Sequence, residues 1–247
     1  MIKGKVIAVS LIAVCRNEKT IICMSDSACT MKYKIGNCSI PTSTKIFLYE
    51  KKYIIQNCGL GTLGGYKVEE HIERFVKDNV GLSIDNIPKK LLKYLCDYAN
   101  NNKIKLEGNN SIVLLVSGWD NGVSKVYSIN TENNKIILET DDVIAYGTEV
   151  EAFKQEYHKK FDKNRDMLFA MFYSFAIICK FLKTEPIRQQ GNEISLEELF
   201  ELAKDPRVDD YYGKICEPID FIIIDCGKEP NITITKDKEN TWLSKED

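Results

Sequence analysis

The feature that most constrains this chain is how its apolar periodicity changes along its length. Apolar runs come in pairs joined by short polar turns, and stretches of helical period come in separate blocks. Val6–Cys15 is apolar and β-branched, Arg16-Asn17-Glu18-Lys19 is a polar turn, and Thr20–Ser25 is apolar again, which predicts a hairpin. A loop through Gly36 and Pro41 follows, then a second hairpin of Lys45–Tyr49 and Tyr53–Asn57. After the glycine cluster Gly59–Gly65 the period changes. Val68, Ile72, Phe75 and Val76 share one helix face, and Ile87, Leu91, Leu95 and Tyr98 share another. Strands return at Ser111–Ser117, Val123–Asn130, Lys135–Thr140 and Val143–Tyr146, with turns at Trp119–Gly122 and Asn133-Asn134. A helical block runs from Glu149 to about Leu182, and Ser195–Lys204 predicts a further helix with a capping box. Ile219–Cys226 and Asn231–Thr235 are the last strands.

Tight hairpins make the sheets mainly antiparallel. Blocks rather than alternation of strand and helix disfavour a barrel of βα units and a doubly wound sheet. The pattern fits an α+β protein: a four-layer αββα sandwich of two facing antiparallel sheets, each covered by a helix pair. With no repeat and no Pro/Gly/Ser linker, residues 1–247 are expected to form one domain, with 183–209 as a polar insertion.

Composition narrows the function classes. Lys+Arg 34 against Asp+Glu 36 gives no basic excess for nucleic acid or an anionic membrane. The only histidines, His71 and His158, rule out a histidine-rich metal site, and charged neighbours place both on polar helix faces at the surface. Nine cysteines include no C-x-x-C pair, so neither zinc nor redox spacing is present, and they read as reduced core thiols of a cytoplasmic protein. Met167–Cys179 is uncharged but too short to span a bilayer, for which about 20 residues are needed. It reads as a helix packed between the sheet and a neighbouring subunit. Residues 1–15 pass only weakly for an export signal, because Val14 stands where a small residue would precede Cys15.

One constellation stands out. Asp26 ends the second strand in Ser25-Asp26-Ser27, with Thr30 four residues on; Lys45 opens the third strand; Gly59-Leu60-Gly61-Thr62 follows the fourth; Gly147-Thr148 lies between the eighth strand and a helix. Such strand-end positions can converge on one edge of a sandwich. Taken singly, an aspartate at a strand end is usually a turn residue and a lysine there is usually solvated. The glycine cluster would suit a phosphate, but it lacks the G-K-[ST] ending of a P-loop.

Together these motifs resemble the proteasome β-type subunits, within the N-terminal-nucleophile hydrolases, and the element order resembles that family's over nearly the whole chain. The resemblance implies a nucleophilic hydroxyl on the first residue of a processed chain, with its own α-amine as base. The family's offset of sixteen residues before Asp26 lands on Ser10, making residues 1–9 a propeptide. Lys45 would favour the deprotonated hydroxyl, Asp26 would hold Lys45, the Gly61 N–H would stabilise the oxyanion, and Thr30 would pair with an extended polypeptide substrate. Asp210 is the nearest match to a supporting aspartate, although Gly213 stands where the family has serine and a solvated acidic loop explains Asp209-Asp210 as well. The resemblance implies no metal or cofactor, and assembly with copies of itself or related subunits into a ring; it leaves any ATPase regulator unspecified.

The chain also departs from the pattern. Val9 stands where the family has the glycine at which its propeptide is cut, Ser10 replaces threonine, and Ala28 replaces an arginine. Three outcomes stay open: a peptidase subunit with Ser10 as nucleophile, a non-catalytic structural subunit or diverged homologue that keeps residues 1–9, and an amide-transferring or ligating enzyme on the same fold.

Overall fold

The computed structural model describes residues 10–26, 28–33, 36–41, 44–147, 149–164, 166–171, 173–174, 219–228 and 231–233. Strands β1 (Leu11–Arg16) and β2 (Thr20–Asp26) form the first hairpin, where the Asn17 side chain accepts the N–H groups of Lys19 and Thr20, both at 2.8 Å. The 28–41 stretch, expected as a loop, carries a hairpin of β3 (Ala28–Tyr33) and β4 (Gly36–Pro41). Strands β5 (Ile46–Tyr49) and β6 (Tyr53–Gly59) close on Glu50 and Lys51, both at positive φ, with the Lys52 N–H on the Tyr49 carbonyl at 3.0 Å. Two positive-φ residues in succession match strand twist in a tight turn. A small hairpin follows, β7 (Thr62–Leu63) and β8 (Tyr66–Lys67), leading into α1 (Val68–Asp78) and α2 (Ile87–Asn101). Then come β9 (Ile112–Asp120), β10 (Val123–Asn130), β11 (Lys135–Leu138), β12 (Val143–Gly147) and α3 (Val150–Asn164). Strands β13 (Ile219–Asp225) and β14 (Asn231–Thr233) are the last described.

Two five-stranded antiparallel sheets result, in the orders β12-β1-β2-β13-β14 and β11-β10-β9-β6-β5. Side chains alternate across a strand, so a strand buried on both faces must be apolar throughout. β1 shows this directly. Ile12 and Val14 face the other sheet, packing with Ile46, Ile54, Leu115 and Val126, while Leu11, Ala13 and Cys15 pack against Phe153 and Tyr157 of α3. A third cluster joins the outer face of the second sheet to α1 and α2. Three apolar interfaces between four layers make the αββα sandwich expected from the block order.

Several local expectations are corrected. Within the expected strand Val6–Cys15, the described residues put β1 from Leu11 and Ser10 just before it, and residues 6–9 lie outside the described residues. His71 is buried at 1% exposure, whereas His158 is exposed. His71 lies three residues after Val68 and four before Phe75, on the apolar stripe that packs against α2. Cys15, Cys23 and Cys58 are buried free thiols, but Cys96 is half-buried and Cys226 exposed. The helical residues 167–171 bury Met167, Ala170 and Met171 and leave Phe169 exposed. Among the described residues no helix is long and apolar enough to cross a membrane. The 1–9 and 183–209 segments and the helix expected at Ser195–Lys204 lie outside the described residues.

Candidate active site

Ser10, Asp26 and Lys45 come together where the two sheets meet. Ser10 immediately precedes β1, Asp26 ends its hairpin partner β2, and Lys45 immediately precedes β5 in the opposite sheet. Lys45 Nζ donates to Ser10 Oγ at 2.9 Å and stands 3.0 Å from each Asp26 carboxylate oxygen. A lysine ammonium has three N–H donors and no acceptor. Three oxygens within hydrogen-bond reach therefore match its full donor set. Asp26 Oδ1 also accepts the Leu11 N–H at 2.8 Å, which ties the carboxylate to the backbone beside Ser10.

The cluster is nearly dry: Asp26 is 1% exposed, Lys45 4% and Ser10 7%. Low water access strengthens each contact and makes an unpaired member costly. Cys58, near the end of β6, feels both charges. Burial pushes its thiol up to about 12, with Lys45 pulling the other way and Asp26 adding to the rise. It is held as a neutral thiol, not a nucleophile. The pairing of Ser10 with Lys45 is fixed from behind by Gly147, which stands opposite Leu11 in β12 and packs against the Ser10 backbone at φ +121.

Other expected site residues are placed differently. Gly61 is exposed, between β6 and β7, and its carbonyl accepts the Val68 N–H at 3.1 Å. The Asn57 N–H donates to the Lys45 carbonyl at 3.1 Å. Alternate N–H groups leave a strand on the same edge, so the Gly59 N–H points the same way, just past the start of β5. Gly59, at φ +98, therefore turns its N–H to the Lys45 edge of β6 and is a second candidate oxyanion donor beside the expected Gly61. Its signal was a glycine ending an apolar strand. Thr30 lies in β3, paired with Ser39. Asp210 lies outside the described residues.

Gln56 was also missed, although a polar residue inside an apolar strand was visible. Fully buried in β6, it donates to the Met24 carbonyl at 2.8 Å and the Ala13 carbonyl at 3.3 Å, both in the opposite sheet. Among the described residues no group of histidine, cysteine, aspartate and glutamate side chains could hold a metal ion.

No family model and no curated protein matches the chain. Its structure is similar to a solved chain of the helical assembly of the Anbu complex from Pseudomonas aeruginosa, with TM-score 0.58 and 15% identity over 94% of this chain and 89% of that one. The expected membership of the proteasome β-type subunits is thereby corrected. The motifs find no family match, and the structural likeness, at 15% identity, establishes the αββα fold alone.

Proposed function

We propose that the chain is an N-terminal-nucleophile hydrolase that cleaves peptide amides with Ser10 after removal of residues 1–9. The observation that carries this reading is the buried Lys45 ammonium shared between Ser10 Oγ and the Asp26 carboxylate. A lysine whose Nζ donates to Ser10 Oγ and to Asp26 is placed to stabilise an alkoxide and not to accept the hydroxyl proton. His158 is exposed on α3 and His71 belongs to the α1–α2 layer, so neither serves as base. Release of the Val9–Ser10 bond would supply one: a free α-amine on Ser10, with an ordinary pKa of about 7.7–8.0, neutral in part at pH 7.

In that reading the amine takes the Oγ proton while Oγ attacks the substrate carbonyl carbon. Lys45 offsets charge on Oγ and the Gly59 N–H meets the oxyanion. Loss of one such donor costs about 2.7–4 kcal/mol of transition-state stabilisation. The ammonium then protonates the departing nitrogen, leaving an ester on Oγ, which water hydrolyses with the amine again as base. Release of residues 1–9 would need another base, since the α-amine does not yet exist: a water takes the Oγ proton as Oγ attacks the Val9 carbonyl, the Val9–Ser10 amide bond breaks with the proton passing to the Ser10 nitrogen, and a second water hydrolyses the resulting ester.

A second reading rests on Val9, a β-branched residue at the proposed cleavage point: a chain that keeps residues 1–9 and acts as a non-catalytic subunit. Self-association is proposed under both readings, supported by the assembled state of the Anbu complex chain. Intact-mass and N-terminal analysis of the purified protein decides between them. A chain that begins at Ser10 and turns over a peptide amide is expected; a stable, homogeneous chain retaining residues 1–9 overturns the hydrolase reading. Light scattering should return a multiple of the protomer mass found by intact-mass analysis, 28.3 kDa if residues 1–9 are kept and less if they are released, and a monomer at micromolar concentration would overturn self-association.

A further inference from the structure

The histidine buried in α1 has no part in the chemistry above, yet it grips the segment that leads away from Gly59. His71 Nε2 lies 2.9 Å from the Leu63 carbonyl oxygen, and Nδ1 lies 3.3 Å from the Tyr94 hydroxyl. A carbonyl only accepts, so Nε2 carries a hydrogen and donates it to Leu63. The ring is wedged edge-on against Tyr98, 4.3 Å between centroids, with Tyr66 edge-on at 6.1 Å. The same Tyr98 ring underlies the tip of the β7–β8 hairpin: a Cβ on Gly64 would come within 2.7 Å of it. Arg74 stands over the Tyr66 ring at 5.6 Å, and the Val68 N–H closes back on the Gly61 carbonyl. The ten residues from Gly59 to Val68 thus fold back onto α1 and α2, and His71 is the buried polar link to their midpoint.

We infer that His71 is a positioning residue: by holding the Leu63 carbonyl it fixes the hairpin that follows Gly59, and so sets where the Gly59 N–H points. This rests on the hydrolase reading for its catalytic consequence. A donor displaced by about 1 Å can lose about 100-fold in rate, so the effect should fall on kcat and not on substrate binding.

The test compares His71→Gln, His71→Asn and His71→Leu in the full chain, with a fluorogenic peptide amide as probe and rates normalised by active-site titration. Glutamine can place an amide donor where Nε2 stood; asparagine is too short and reaches only toward the Nδ1 side. H71Q should recover most of kcat, while H71N and H71L should lose about 10- to 100-fold in kcat with little change in KM. Equal kcat in all three overturns the inference. Hydrogen exchange across Gly59–Val68 is read on the same proteins, to separate this failure from failure of the hydrolase reading. Unchanged exchange in H71L overturns the inference whatever the activity. Faster exchange in H71L alongside a wild-type chain that cleaves nothing overturns the hydrolase reading and its catalytic consequence here.

Discussion

A Cβ added to Gly147 would lie 1.9 Å from the Ser10 carbonyl oxygen. No side chain fits that gap, so the end of β12 and the start of β1 touch backbone to backbone, and the position of Ser10 depends on it. Gly147→Ala should therefore both strain φ +121 and push Ser10 away from Lys45. Gly122→Ala, also at positive φ but with nothing within 4 Å of its Cβ, should cost only the left-handed strain, about 1–2 kcal/mol. Urea unfolding should rank G147A well below G122A, and only G147A should impair release of residues 1–9. Equal losses would mean that the Ser10 contact carries no weight.

Asp26→Asn is isosteric but removes the charge opposite Lys45. A buried ion pair broken from one side typically costs about 3–5 kcal/mol, because the remaining charge has no partner. D26N should show that order of loss, and D26N combined with Lys45→Met should recover much of it while remaining inactive. A double variant no more stable than D26N would contradict the account of the cluster.

Ser10→Ala removes the hydroxyl and keeps the packing. Mass spectrometry should find residues 1–9 retained in S10A, whereas Ser10→Thr should still be cut at the same bond. Cutting of S10A at Val9 would assign the cleavage to another agent.

The buried thiols predict an alkaline limit to stability. Burial raises Cys23 and Cys58 from an ordinary 9.0 to about 12, and raises Cys15 further. Below pH 9 these thiols are neutral in both states and add no pH dependence. Above it the unfolded chain releases protons that the folded chain keeps, so unfolding becomes easier by about 1.4 kcal/mol per pH unit for each thiol, up to about pH 12. Urea midpoints at pH 8, 9.5 and 10.5 should fall increasingly steeply. With a thiol reagent at pH 8, the exposed Cys226 should react in the native protein and Cys15, Cys23 and Cys58 only after unfolding.

The layer order was legible because each sheet strand carries its own apolar record, as Ile12 and Val14 on one face and Ala13 and Cys15 on the other illustrate. Asp26 and Lys45 were legible as strand-end charges beside apolar runs. The hairpin of β3 and β4 was not, since the 28–41 stretch mixes polar residues and cysteines without a period of two. His71 was misread because Glu70 and Glu73 beside it suggest a polar face, although its spacing from Val68 and Phe75 put it on the buried one. Gly59 was not legible as a donor in the motif: the direction of its N–H follows from the Asn57–Lys45 hydrogen bond, a fact about strand register.

Ser10 and Asp26 belong to one sheet and Lys45 to the other, so the contact between them measures how far one sheet has slid over its neighbour. Apolar packing has no direction of its own and would tolerate some sliding. Gln56 does not, because its amide grips the Ala13 and Met24 carbonyls across the gap. Trp119 does the same farther along, donating to the Ile224 carbonyl at 3.1 Å, and Cys23 meets Ser117 at 3.0 Å. These few polar stitches act as detents in an oily bearing. They keep a lysine on one plate in step with a serine on the other, at a tolerance that grease alone would not hold.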